Sequence, residues 1–280
     1  MYRFALIGYP VKHSLSPWIH ESFLNKANLE GEYSIYEIPP DEPFPAKLNR
    51  LMDDQVDGFN VTVPYKEKII PFLDDVDDDA ARIKAVNTVV NRNGKWIGYN
   101  TDGVGYLRSL ENKFPDFYLD KFKRILLIGS GGATRGIYYA LVQAGFLHID
   151  ITNRTTEKAA EIAKLKNVTA ATAILSLEQA EEMLQTYDVI IQTTSVGMKP
   201  DQEKVIFRVN QLKSPSIVSD IIYQPLETKL LKQAYDAGAS VHFGHTMLLY
   251  QAQYAFEIWT GKKVPIGDMD ERLQRHLEGR

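Results

Sequence analysis

The sequence predicts an α/β protein of two domains, and three observations carry that expectation. Short apolar runs of strand character alternate with amphipathic helical stretches in both halves of the chain. The run RILLIG (124–129) is apolar at nearly every position, as in a strand buried on both faces of a parallel sheet. The 280 residues exceed what one typical core organises.

The elements follow in order. YRFALIGY opens the chain as a strand. SLSPWIHESFLNKAN reads as a helix, with Ser16 as its N-cap and Pro17 at the first helical position. YSIYEI is a strand and PAKLNRLMD a short helix. In GFNVTV, Phe59, Val61 and Val63 alternate with Asn60 and Thr62, the period of a strand. KEKIIPFLD has a helical pattern that Pro71 should bend or end. DDVDDDAAR (74–82) suits a solvated helix start, where carboxylates meet the positive end of the dipole. Asn93-Gly94 between two alternating runs marks a hairpin. A domain break is expected near Gly103 to Gly105. The second series brings RILLIG, a helix to about Ala144, the strand HIDITNRT, the helix TEKAAEIAKL and the strands DVIIQTTS and SIVSDIIY. PLETKLLKQAYDAG and TMLLYQAQYAFEIWTG complete it as helices.

Composition excludes several classes of function. Net charge is −4 and no basic block appears, so nucleic acid is not an expected partner. With no cysteine there is no disulfide or thiolate chemistry, which fits a cytoplasmic protein. No apolar run reaches the length of a membrane span, and MYRFALIGYP is too short and too soon broken for a signal peptide. Among six histidines only His242 and His245 fall close together, and no third ligand stands beside them, so no metal is expected.

LLIGSGGATRG lies after a strand and before a helix, where glycines let the backbone approach a pyrophosphate and free N–H groups meet it. The general G-x-G-x-x-G pattern is matched by Gly129 and Gly131 but has Thr134 in third place, so a plain tight turn is the competing reading. An NAD site places an acid at the end of the second strand; here Asn153, 24 residues after Gly129, stands there, followed by Arg154 and Thr155, with Lys158 beyond. An amide, a guanidinium and a hydroxyl suit a 2′-phosphate, so NADP is expected over NAD.

Nine stretches, SLSP (14–17), NVTVPYK (60–66), AVNT (85–88), NTDG (100–103), GSGGATRG (129–136), NRT (153–155), TSVGM (194–198), DIIYQP (220–225) and MLLYQA (247–252), occur in order along nearly the whole chain. Together they resemble the shikimate dehydrogenase family. That resemblance implies NADPH-dependent reduction of 3-dehydroshikimate to shikimate. It implies that Ser14 and Ser16 bind the substrate carboxylate and that Thr62, Asn87, Asp102 and Gln251 bind the ring hydroxyls. Lys66 would be the acid/base, paired with Asp102, and Tyr223 matches a further substrate contact. Gly129, Ser130, Gly131, Gly132 and Ala133 would hold the pyrophosphate, and Asn153, Arg154, Thr155 and Lys158 the 2′-phosphate. Asp78, Ile221 and Gly244 match positions near the nicotinamide. The implied architecture is a substrate domain of residues 1–102, completed by C-terminal helices in 239–280, and a Rossmann-like NADP domain of residues 103–238, with a cleft between them. The chain departs from the family pattern at Ser130 and Thr134, at Gln192 and Thr193, and at His245 and Thr246.

Each signal has a plainer reading on its own: Lys66 as a solvated lysine, Asp102 as a turn former, Ser16 as a helix cap, Gln251 as an interior polar residue. Asn60 reads as orienting its loop rather than touching ligand. Rival functions are an NAD-preferring quinate/shikimate dehydrogenase, a methylenetetrahydrofolate dehydrogenase and a non-catalytic dinucleotide sensor. A homodimer is compatible with the sequence.

Overall fold

A computed structural model describes residues 1–209 and 211–279. The chain divides into two compact units, Met1–Asp102 with Gln251–Met269 and Gly103–Tyr250 with Asp270–Arg280. The stretch 239–280 is therefore shared between them.

The first unit contains β1 (Tyr2–Gly8), α1 (Ser16–Lys26), β2 (Gly31–Glu37), α2 (Phe44–Asp53), β3 (Gly58–Val61), β4 (Asp75–Val76), α3 (Asp78–Ile83), β5 (Thr88–Arg92) and β6 (Lys95–Tyr99). Its sheet runs β2-β1-β3-β5-β6-β4. The sheet is mixed, because β5 runs antiparallel to both β3 and β6. The hairpin turn imposes this: Asn93 and Gly94 both take positive φ, 55° and 84°. Ala5, Ile7, Phe59, Val61, Val86 and Val89 fill the core on one face.

Two expectations fail in this unit. Leu15, not Ser16, is the N-cap of α1, and it makes no side-chain cap bond. The Ser14 hydroxyl instead accepts the Ser16 N–H at 3.2 Å, which leaves Ser16 inside the helix. KEKIIPFLD forms turns and a short 3-10 segment, Ile70–Phe72, rather than an α-helix. The Lys66 carbonyl, which a helix would give to Ile70, accepts the Val86 N–H at 2.8 Å, and Ile70 turns to Glu67 at 3.4 Å. Pro71 has no N–H to continue the ladder.

The second unit has α4 (Asp102–Lys113, begun on the last residue of the first unit), β7 (Arg124–Ile128), α5 (Gly132–Gln143), β8 (His148–Thr152), α6 (Thr156–Ala163), β9 (Ile174–Leu175), α7 (Leu177–Glu182), β10 (Val189–Gln192), β11 (Ile217–Asp220), α8 (Lys229–Asp236), β12 (Ser240–His242), α9 (Gly244–Thr260, entering the first unit at Gln251) and α10 (Met269–Leu277). All its strand pairs are parallel, in the order β12-β11-β10-β7-β8-β9. The order reverses between β7 and β10, the doubly wound arrangement that opens a crevice at the strands' carboxyl ends. Central β7 is buried on both sides: Ile125 and Leu127 join one core cluster, Leu126 and Ile128 the other.

Candidate active site

β3 ends at Val61, and the chain is then held tightly. Thr62 N–H donates to the Ile7 carbonyl at 2.9 Å and Tyr65 N–H to the Thr62 carbonyl at 2.9 Å. The buried Tyr65 side chain anchors the turn, its hydroxyl donating to the Ile38 carbonyl at 2.6 Å. Next to this anchor, Lys66 extends its ammonium to Asp102, Nζ to Oδ2 at 2.6 Å, the side chains being 18% and 7% exposed. A charge pair this far from water holds its geometry only if the remaining lone pairs are also satisfied. Asn87 satisfies the second oxygen, donating Nδ2 to Asp102 Oδ1 at 2.9 Å. Asp102 N–H donates to Asn100 Oδ1 at 3.1 Å, and Asn100 Nδ2 to the Ala85 carbonyl at 2.9 Å, so the NTDG loop and the AVNT strand entry lock together. Thr101 accepts from Asn87 Nδ2 at 2.9 Å and donates to Gln251 Oε1 at 3.4 Å.

Lys66, Asn87, Asp102 and Gln251 thus stand in one hydrogen-bonded group within the first unit. Ser14 and Ser16 form a separate pair, Oγ to Oγ at 3.1 Å. Thr62 is half-buried just past the end of β3. Asp78 is exposed in the first turn of α3, beside the cap residue Asp77. Thr101, Asn100 and Thr88 belong to the buried group but were not expected in it. Their signal was adjacency, since each neighbours a residue in NTDG or AVNT that was singled out.

In the second unit the glycine turn joins β7 to α5. Gly129 has φ +128°, and a Cβ there would sit 2.5 Å from Thr193 Oγ1, so no larger residue fits. The Gly129 N–H already donates to the Thr152 carbonyl at 2.8 Å and the Gly131 N–H to Thr134 Oγ1 at 3.1 Å. Gly132 and Ala133 open α5, where backbone N–H groups lack intrahelical acceptors. A side chain at Gly131 would meet nothing within 4 Å, which leaves room at the helix start for an anion. Ser130 is half-buried in the same turn. Two departures from the family pattern turn out to be partners: Thr134 and Thr193 bond hydroxyl to hydroxyl at 2.7 Å, and Thr193 donates to the Ile128 carbonyl at 2.7 Å.

At the carboxyl end of β8, Asn153 Nδ2 donates to the Thr155 carbonyl at 2.9 Å, and Arg154, Thr155 and Lys158 are exposed. After β11 the chain turns sharply on Asp220, whose carboxylate accepts the Ile222 N–H at 3.0 Å and the Thr228 hydroxyl at 2.8 Å. Burial, against the pull of those two donors, pushes the Asp220 carboxyl up to about 7. Burial also pushes the Tyr223 phenol up. A Cβ on Gly244 would lie 2.3 Å from the Ile221 carbonyl oxygen, so this loop packs directly on the start of α9. His245 turns to Asp270, Nε2 to Oδ1 at 2.9 Å, and Thr246 to His242 Nε2 at 3.0 Å. The other nitrogen of His242 faces Ser219 Oγ at 2.8 Å. Among the described residues no group of three or more His, Asp or Glu could hold a metal ion, and no helix is long and apolar enough to cross a membrane.

Residues 6–89 match the family model described as shikimate dehydrogenase substrate binding domain, residues 111–222 that of shikimate / quinate 5-dehydrogenase, and residues 244–274 that of the shikimate 5'-dehydrogenase C-terminal domain. The shikimate dehydrogenase (NADP(+)) of Oceanobacillus iheyensis is 50% identical over 275 residues, 98% of each chain. A crystal structure of shikimate 5-dehydrogenase from Thermus thermophilus in complex with NADP(H) and shikimate superposes with a TM-score of 0.86 at 33% identity, covering 98% of this chain and 99% of that one. Quinate dehydrogenase from Corynebacterium glutamicum, in complex with NAD, gives a TM-score of 0.88 at 28% identity over 97% of this chain and 98% of the other. With three family models in register and a relative half identical from end to end, the chain belongs to the shikimate dehydrogenase family.

Proposed function

We propose that this protein catalyses the reversible NADPH-dependent reduction of 3-dehydroshikimate to shikimate, a step of aromatic amino acid biosynthesis, with Lys66 and Asp102 as the catalytic pair. The observation that carries the reading is the buried Lys66–Asp102 contact at 2.6 Å, with Asn87 on the second carboxylate oxygen.

Hydride addition to a carbonyl carbon builds negative charge on oxygen. Lys66, as an ammonium at a strand's carboxyl end, stabilises that oxygen and delivers a proton to it. In the reverse direction it takes the proton from the hydroxyl. Asp102 holds the lysine stem in place, and Asp102, Asn87, Thr62 and Gln251 bind the ring hydroxyls. Ser14 and Ser16, a hydroxyl pair 3.1 Å apart, bind the carboxylate with Tyr223.

The residues present fit NADP. Gly129, Ser130, Gly131, Gly132 and Ala133 form the pyrophosphate cradle, supported by the open space at Gly131. Asn153, Arg154, Thr155 and Lys158 hold the 2′-phosphate, and Ile221, Gly244 and Asp78 flank the nicotinamide. Bound NADPH supplies the hydride. The first unit is accordingly the substrate unit and the second the cofactor unit. A cytoplasmic location suits a chain without cysteine, and assembly as a homodimer is compatible with it.

Absorbance at 340 nm with shikimate plus NADP, then NAD, then quinate with each, tests the reading. Rapid reduction of NADP by shikimate alone is expected. Turnover mainly with NAD or quinate would overturn the reading of Arg154 or of the substrate residues, and no turnover with any pair would remove the function.

A further inference from the structure

We infer that Asn60 and Thr88 are positioning residues for the catalytic pair. They form a chain of hydrogen bonds that all point one way, ending on the Asp102 carboxylate. The inference rests on the assignment of Lys66 and Asp102 proposed above.

The chain starts at Tyr33, whose hydroxyl donates to Asn60 Oδ1 at 2.8 Å. Asn60 Nδ2 donates to Thr88 Oγ1 at 3.1 Å and to the Asn87 carbonyl at 3.1 Å. Thr88 spends its proton on Asn87 Oδ1 at 3.1 Å. Asn87 Nδ2 then donates to Asp102 Oδ1 at 2.9 Å, and Lys66 closes on Asp102 Oδ2 at 2.6 Å. Tyr33, Asn60, Thr88, Asn87 and Asp102 are all buried. The direction is dictated by chemistry. A carboxylate only accepts, so Asn87 must present its amide nitrogen to Asp102 and its oxygen to Thr88. Thr88 therefore donates to Asn87, and its lone pairs face the Asn60 amide. One-way chains polarise each member and resist amide flips: a flip at Asn87 sets its Nδ2 against the Thr101 N–H and its Oδ1 against the Asp102 carboxylate, and a flip at Asn60 sets its Oδ1 against the Asn87 carbonyl.

Neither Asn60 nor Thr88 bonds to Lys66 or Asp102 directly. Their effect is to fix the rotamer of Asn87 and, through it, the carboxylate that aims the lysine. One end of β3's pairing with β5 is thereby tied to the chemistry: Asn60 and Thr88 are register partners, the pair opposite the Gly58–Val90 end.

Thr88→Val is the incisive test, because it removes one hydroxyl and leaves no neighbour bare. Asn60 Nδ2 keeps the Asn87 carbonyl, and Asn87 Oδ1 keeps the Thr101 N–H at 2.8 Å. Expected for Thr88→Val are a kcat with shikimate and NADP lowered ~10-fold, as small misplacement of a catalytic group costs, and a KM for NADP within about twofold of wild type. Thr88→Ser, which restores the hydroxyl, should regain the wild-type kcat within about twofold. Thr88→Ala repeats the loss in a smaller side chain should the valine variant not fold. A fall in Tm with kcat unchanged, or a serine variant as slow as valine, would overturn the positioning role. Absence of turnover in the wild-type enzyme would instead remove the proposed function, and with it this inference, so the two failures are told apart by the parent protein.

Discussion

Lys66 is one of several lysines that follow a strand or turn, and nothing in its immediate neighbours distinguishes it. Its partners do: Asp102 lies 36 positions away in sequence and 2.6 Å away in space. Replacing it by alanine removes the only ammonium on that carboxylate among the described contacts and leaves Asp102 bonded to Asn87. Lys66→Ala is expected to lower kcat by ~10²-fold or more, as loss of a positioned acid does, with a smaller change in KM. Steady-state kinetics with shikimate and NADP check this; a near-normal kcat would refute the acid/base assignment. Arg154 stands exposed after β8, where a guanidinium can fork onto a 2′-phosphate. Arg154→Ala should raise the KM for NADPH by ~10-fold or more while leaving that for NADH nearly unchanged, and parallel titrations of both cofactors decide it.

The element after β11 shows how a buried carboxylate can shape a loop at a cost. Asp220 takes the Ile222 N–H and the Thr228 hydroxyl, and Thr228 also caps α8 through the Leu231 N–H at 3.3 Å. Burial holds its carboxyl at about 7 in the folded chain, against an ordinary 3.8. Between those values the folded state binds the extra proton, so this group withdraws stability as pH rises from about 4 to about 7. Asp220→Asn should therefore be more stable than wild type at pH 8, with the advantage fading toward pH 4. Urea unfolding at both pH values reads it, and an equal difference at each would contradict the account. Legibility from sequence also varies by element. The two-sided burial of β7 was plain in RILLI, and the hairpin in Asn93-Gly94. KEKIIPFLD was misread because its helical spacing says nothing of Val86, which claims the Lys66 carbonyl from 20 positions away. Gly103 and Gly105 suggest a break and hide α4, and α7, six residues with only Ala180 buried, carries no apolar stripe to read. Asn60 reads from sequence as orienting its loop, but its partner Thr88 and Asn87's partner Thr101 do not show: hydrogen-bond partners across a sheet leave no periodic trace.

Across the whole molecule the response between pH 6 and 5 follows from three buried groups. Burial lowers both His20, stacked on Tyr33 at 4.5 Å in the first unit, and His242 in the second, from 6.5 to about 3. Each is bound to a proton in the unfolded chain and not in the folded one between those values, so stability is lost as pH falls below 6.5. Asp220 acts in the opposite sense over most of that range. Two protons taken up on unfolding against one released leaves a net of one, or about 1.4 kcal/mol lost per pH unit between 6 and 5. Denaturant midpoints in that interval measure it, and a flat profile would show that His20 or His242 is charged in the folded chain, whereas a slope twice as steep would show that Asp220 is ionised.

Trp259 sits on α9, far along the chain from the sheet it covers. Its ring stacks on Phe4 at 4.3 Å and its N–H donates to the Val89 carbonyl at 2.9 Å. The first unit is thus sealed by a piece of polypeptide made after residues 103–250 of the second unit. On the ribosome, residues 1–102 emerge with that seam open and must wait for some 150 further residues before it closes. A gene fragment cut at the apparent boundary would encode a sheet with its aromatic lid missing, and should appear in the pellet rather than the supernatant unless 251–269 is supplied as well.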